Sequence, residues 1–365
     1  MAGINNFQKK LACVISLAFL VSVMILSGQQ RWPRAVWLLA GNPVGSEGLC
    51  NVTFELENCS CLRTVESRLP PGCPGPFASS DGILEEMKLM YGESTCNDWA
   101  TFRGPGQKVL SYSVFGNFKN DYFQGFERVV PQIIKAYPGW NLRFYFRLDT
   151  QNITIRNWLC DLACRYPHLD LCHVERLPVL GNISRSIGRV WRFASMGDSL
   201  VDYFSIRDAD SLIIQREIDA VQDWLKSGNV NFLIPHQCFH AMRDHPLHGV
   251  KMLAGMWGGC NTWRPDMLNV TRRLLNGALE PQKYTQDDQN AMQKILWNVA
   301  SLNITVHDSY FCKAFGNAKP FPTQRVNLTY IGAKNYIYEP EFDFPINKEC
   351  PVVCRPPDHQ DWKYC

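Results

Sequence analysis

Two carboxylates one residue apart, Asp208 and Asp210, stand in the stretch Arg207-Asp208-Ala209-Asp210-Ser211. Before them Val201, Tyr203 and Ser205 alternate with Asp202, Phe204 and Ile206, the pattern of a half-buried strand. After them Ile218, Val221, Trp224 and Leu225 recur at helical spacing, and Gly228 is a stop signal. The pair therefore falls at the carboxyl end of a strand, where open α/β sheets bind ligands. If strand geometry persists through Ala209, both carboxylates point to one side. Two hard oxygen donors on one side suit Mg²⁺ or Mn²⁺, ions that can grip a diphosphate. A lone D-x-D triplet also serves as a helix cap or a turn; the strand before it and the helix after it give it weight.

Other residues able to do chemistry lie on either side of this hinge. Arg243, Asp244, His245 and His248 form a polar cluster. Three histidines in this region (His240, His245 and His248) raise the question of zinc, but Pro246 breaks any helix that would align His245 with His248, which favours a ligand-binding loop over a zinc site. Gly255, Gly258 and Gly259 surround Trp257, so the backbone there can approach a ligand and the indole can serve as a platform for it; plain packing is the other reading. Arg189 and Arg192, on a predicted helix, either reach phosphate or sugar or lie on a solvated face.

The elements that must position these residues follow from periodicity. Lys108–Phe115, Asn141–Arg147, Leu169–Glu175, the stretch before Arg207 and Phe232–Pro235 read as strands. Tyr122–Ala136, Ile153–Arg165 and Arg185–Met196 read as helices between them. The alternation predicts an α/β fold with a mostly parallel, doubly wound sheet. No G-x-G-x-x-G follows the first strand and no Walker loop occurs, so dinucleotide and P-loop folds are not favoured. The half after Phe239 looks less regular, with a helix over Ala291–Asn298.

Composition bounds the setting. A net charge of +3 over 365 residues, with no long basic run, argues against a nucleic-acid partner. Leu11–Gly28 carries no charge, follows Lys9 and Lys10 and precedes Arg31 and Arg34. This reads as a signal anchor with a cytoplasmic tail at 1–10 and the bulk of the chain lumenal; cleavage after Ser27 or Gly28 is the alternative. There are fifteen cysteines, and setting aside Cys13 leaves an even number, as a disulfide framework requires. Sequons begin at Asn51, Asn58, Asn152, Asn182, Asn269, Asn303 and Asn327. Residues 29–105, rich in cysteine and proline, read as a stapled stem with little core, and 346–365 as a disulfide-tied tail behind a lumenal domain at 106–345.

Signal anchor, stem and lumenal α/β domain with D-x-D together resemble Golgi-type glycosyltransferases of the nucleotide-diphosphosugar transferase (GT-A) fold. The stretches Arg207–Ser211, Arg216-Glu217 with Ala220-Val221 and Trp224-Leu225, Met242–Pro246 with His248, and Ala254–Gly258 resemble a little-characterised glycosyltransferase group over about residues 107 to 315. The resemblance implies a transferase moving a sugar from a nucleotide sugar to a glycan or glycoprotein acceptor in the secretory pathway. Asp208 and Asp210 would then hold Mn²⁺ or Mg²⁺, with His307 as a late third ligand. Asp288, in Asp288-Gln289, resembles an acidic residue near the acceptor and would orient or deprotonate its hydroxyl; a helix cap is the other reading. Arg207, Arg243, Asp244, His245 and Trp257 would contact donor or acceptor. A non-catalytic lumenal or cell-surface binding protein on the same scaffold is the competing function, and a two-carboxylate hydrolase a third.

Overall fold

A computed structural model describes residues 49–365 except 57–58, 69–79, 117–120, 212, 228–236, 263, 278–286, 316–317 and 334–345. The first described elements are an antiparallel hairpin, β1 (Leu49–Leu56) and β2 (Cys61–Arg68), and the helices α1 (Ser80–Tyr91) and α2 (Asp98–Phe102). Then β3 (Gln107–Val114), α3 (Asp121–Ala136), β4 (Asn141–Phe146), α4 (Ile153–Arg165) and β5 (Leu169–His173) alternate as the sequence predicts. A 3-10 helix (Gly188–Ser195) leads into β6 (Val201–Arg207) and α5 (Gln215–Ser227). The expected α-helix over 185–196 is thus turns and a 3-10 helix.

The half that looks irregular in sequence supplies the rest of the sheet. It holds β7 (Phe239–Arg243), β8 (Met256–Cys260), α6 (Met267–Gly277), α7 (Asp287–Ala291), a π-helical turn (Met292–Leu296), α8 (Trp297–Ala300), β9 (Ile304–Asp308) and β10 (Ala318–Lys319). The eight strands lie in the order β10-β9-β7-β8-β6-β3-β4-β5, all parallel except β8, which pairs antiparallel with β6 and β7. The strand expected at Phe232–Pro235 lies outside the described residues. A Cβ at Gly258 would meet the Phe204 carbonyl oxygen at 2.6 Å, so a glycine lets β8 close on β6.

Both faces of the sheet are covered, which is why its central strands are apolar on both sides. On one face Phe126 of α3, Leu159 of α4 and Trp224 of α5 pack with Tyr112 and Phe144. On the other, Phe193 of the 3-10 helix, Leu274 of α6 and Met292 pack with Val109, Tyr145 and Phe204.

Within the segment read as a stem, Val65, Ile83, Met87 and Phe102 make a small core of their own. Its cysteines are stapled onto the sheet and its helices: Cys59–Cys160, Cys61–Cys164 and Cys96–Cys172. Further bridges join Cys238–Cys260, Cys312–Cys354 and Cys350–Cys365, the last two tying down the C-terminal residues, and Cys50 is bridged as well. No helix among the described residues is long and apolar enough to cross a membrane; the expected anchor, 11–28, lies outside them.

The same segment is tied on by charge. Arg63 of β2 and Arg103 after α2 both grip Asp170 of β5, Arg103 Nε donating at 2.9 Å and Arg63 Nη2 at 3.1 Å. Burial alone would raise the Asp170 pKa, but the two guanidiniums win and hold it below the usual carboxylate range. Asp170→Ala leaves two buried cations without their anion and should cost about 3–5 kcal/mol. Urea unfolding checks this; a loss under about 1 kcal/mol would mean the hairpin is not part of the cooperative unit.

Candidate functional site

The sheet reverses its winding at β3, which has β4 on one side and β6 on the other. Ligands bind outside the carboxyl ends of strands at such a switch point. Asp208 is the first residue past β6 at this point. Ala209 is buried in the core, and the half-buried Asp208 and Asp210 flank it in a turn closed by Ser211 N donating to Asp208 O. The condition for both carboxylates to point to one side, strand geometry persisting through Ala209, is not met: β6 ends at Arg207 and the backbone turns.

Arg192 sits behind Asp208. Serines of β3 fix its main chain: Arg192 N donates to Ser113 Oγ at 2.9 Å, and Ser111 Oγ donates to Arg192 O at 2.7 Å. Its Nη1 donates to the Arg207 carbonyl at 2.9 Å and to Asp208 Oδ1. Its Nη2 reaches Asp288 Oδ2 at 3.4 Å. One buried guanidinium therefore joins Asp208 to Asp288, residues far apart in the chain. Asp288 is buried in the first turn of α7, not before the helix as a cap. Its neighbour Gln289 anchors the loop after β7, accepting from Ala254 N at 3.0 Å and donating to Met252 O. Next in that loop, a Cβ at Gly255 would lie 1.8 Å from Asp208 Oδ2, so the carboxylate occupies space that only glycine leaves.

A cavity of about 620 Å³, within the usual range for small-molecule sites, shares the 3-10 helix that carries Arg192, but Arg192, Asp208, Asp210 and Asp288 are not among its wall residues. It opens past the ends of β3, β4 and β5, with Phe115, Arg147, Asp149 and His173 among its walls. Gly188 and Trp191 of the 3-10 helix close it, one residue short of Arg192. Sequence reasoning did not single out these wall residues. Their signal was position alone, just beyond three correctly predicted strands.

Several expected site residues are placed elsewhere. Arg207 points to the opposite face of β6, where Nη2 meets Glu217 Oε2 at 2.8 Å and Tyr137 Oη donates to Glu217 Oε1 at 2.9 Å. Arg243 is buried, its Nε donating to Asp308 Oδ2 at 2.7 Å and its Nη1 to Lys251 O at 2.6 Å. Asp244 accepts from Arg216, Arg325, Ser309 and the Ile331 amide, and is fully enclosed. Trp257 is core rather than platform, edge-on to Phe193 and Phe204 at 5.6 and 5.4 Å. His245 stays partly exposed, its ring 4.5 Å from that of Tyr330 and its Nδ1 accepting from Leu247 N.

His307 does not join Asp208 and Asp210. It lies on β9, with Nδ1 at 2.8 Å from His240 Nε2 and Nε2 at 3.0 Å from Asp223 Oδ2, so both ring nitrogens are engaged. Burial lowers its pKa despite Asp223, and burial pushes His240 lower still. Among the described residues no three His, Cys, Asp or Glu side chains converge as a metal site. Of the sequon asparagines, Asn51, Asn152, Asn182, Asn269 and Asn327 are exposed, Asn303 is half-buried, and Asn58 lies outside the described residues.

No family model matches the chain, and no curated protein matches it. Among solved structures it is similar, at 14% identity and a TM-score of 0.31, to a glycosyltransferase involved in the glycosylation of the major capsid of PBCV-1, over 56% of this chain and 82% of that one.

The contact between Gly255 and Asp208 is open to test. Gly255→Ala should destabilise the protein by about 1–3 kcal/mol when Asp208 is present and by much less in an Asp208→Ala background. Urea unfolding of the four proteins checks this. Additive losses would show that the carboxylate does not rest against residue 255.

Proposed function

We propose that the chain is a glycosyltransferase that takes a sugar from a nucleotide sugar with the help of a divalent ion and passes it to a glycan or glycoprotein acceptor. The observation that carries this reading is the convergence of Asp208 and Asp288 on Arg192 at the switch point, on a 3-10 helix that also walls a cavity large enough for a nucleotide. The setting we propose is the lumen of a secretory membrane; the network of bridged cysteines and the exposed sequons support it.

The donor set fits Mn²⁺ or Mg²⁺. Mg²⁺ is usually held by one or two carboxylates together with substrate phosphates, not by an all-protein cage. Asp208 and Asp210 supply such a pair, and His307 is not needed for it. Bound there, the ion would offset negative charge on the leaving diphosphate. The cavity walls bind the nucleotide: Phe115 and Trp191 give apolar faces, and Arg147, Asp149 and Thr150 give polar edges. Asp288 takes the proton of the acceptor hydroxyl as its oxygen attacks the anomeric carbon and the bond to the diphosphate breaks. Gln289 holds the Met252–Ala254 loop, and through Gly255 keeps Asp208 in place.

The test is release of nucleoside diphosphate by the full chain from a panel of nucleotide sugars, with Mn²⁺ and with chelator. One donor class should turn over, only with metal, and Asp288→Asn should lower kcat by about 10²-fold or more with the unfolding temperature kept. Turnover unaffected by chelator would contradict the metal. Nucleotide binding without turnover of any donor would identify a binding protein on this scaffold.

A further inference from the structure

Asp208 and its guanidinium are unequally placed. The Arg192 side chain is 4% exposed and that of Asp208 45%, so the carboxylate presents one face to solvent while the cation lies behind it. Gly255 closes off another side, with Asp208 Oδ2 in the space a Cβ would fill. The guanidinium cannot easily retreat, because serines of β3 pin its main chain and the Arg207 carbonyl holds Nη1. It does have a second anion within reach, Asp288 Oδ2 at 3.4 Å, longer than a good charged hydrogen bond.

From this geometry we propose that Arg192 is a built-in cation that competes with the divalent ion for Asp208. It rests on the reading of Asp208 as a metal donor. With Arg192 in place, a metal approaching from solvent meets a carboxylate that is already neutralised, and it is repelled by the fixed positive charge behind. A diphosphate changes the balance. Its oxygens would share the metal and add negative charge, offsetting the fixed guanidinium that stays between Asp208 and Asp288. Metal binding thereby depends on the presence of a diphosphate, and the site does not fill with Mn²⁺ on its own. Arg192 is a positioning residue in this scheme, acting through Asp208.

The experiment measures Mn²⁺ affinity of the full chain by electron paramagnetic resonance, alone and with UDP or GDP, together with the unfolding temperature. The wild type should bind Mn²⁺ weakly alone and tightly with one nucleoside diphosphate. Arg192→Met should bind Mn²⁺ alone at least about tenfold more tightly than the wild type, and a further Asp208→Asn should remove that gain. Arg192→Lys keeps the charge but loses the two-pronged grip. It should fall between the two, and it stands in for Arg192→Met if that variant does not fold. Equal Mn²⁺ affinity in the wild type and the Arg192 variants, with Mn²⁺ binding to each in the presence of nucleotide, would overturn the proposal and leave the metal site standing. Absence of Mn²⁺ binding in every protein, with or without nucleotide, would overturn both.

Discussion

A guanidinium taken out of water needs an anion, and this requirement organises the molecule. Arg143 is buried against Asp198 at 2.6 Å, Arg207 against Glu217 at 2.8 Å and Arg243 against Asp308 at 2.7 Å. Arg216 and Arg325 share Asp244, and Arg63 and Arg103 share Asp170. Most of these pairs fix where a covering segment meets the sheet; Arg243–Asp308 joins two neighbouring strands, β7 and β9. Such pairs contribute little net stability against an apolar alternative, but losing one partner is costly, and they admit few other arrangements. Arg192 follows the same rule with one difference. Its first carboxylate, Asp208, is 45% exposed, so this pair, unlike the others, borders solvent.

This pattern also explains what the sequence could and could not convey. Although β6 is buried on both faces from Phe204 to Arg207 rather than half-buried, the strand-turn-helix around Asp208 was legible from the run before Arg207 and the helical spacing of α5. So were β3, α3, β4, α4 and β5. Most of the second half was not, the helix expected over Ala291–Asn298 apart. β8 reads Met-Trp-Gly-Gly-Cys, with two glycines and no β-branched residue, and its pairing depends on contacts with β6 and β7 that no local propensity encodes. Arg207, Arg243 and Asp244 looked like site residues because charge beside a strand end suggests a ligand. Their partners Glu217, Asp308 and Arg325 become visible only once the chain is folded. His307 was misplaced for a related reason: sequence shows a histidine near an aspartate, not that Asp223 and His240 already occupy its ring. Asp288 and Gln289 were legible as a pair, whereas the arginine that ties Asp288 to Asp208 looked like part of a solvated helix face.

The disulfides do for the described residues between 49 and 105 what apolar burial does for the sheet. A hairpin and two short helices bury a small cluster, too little to hold a segment of this length alone. Three bridges and the Asp170 ion pairs fasten it beside α4 and β5, next to the strands whose ends form the cavity. The same oxidising chemistry that permits these bridges suits a chain with exposed sequons.

The central claim is that Asp208 and Asp210 mark the place where a metal and a diphosphate meet. Crystals of the chain grown with Mn²⁺ and a nucleoside diphosphate, with diffraction recorded at the manganese absorption edge, test it most directly. The account predicts one anomalous peak at about 2.0–2.4 Å from a carboxylate oxygen of this pair and in contact with the diphosphate. A diphosphate seated away from the ends of β3 and β6, or a manganese peak on other side chains, would contradict it.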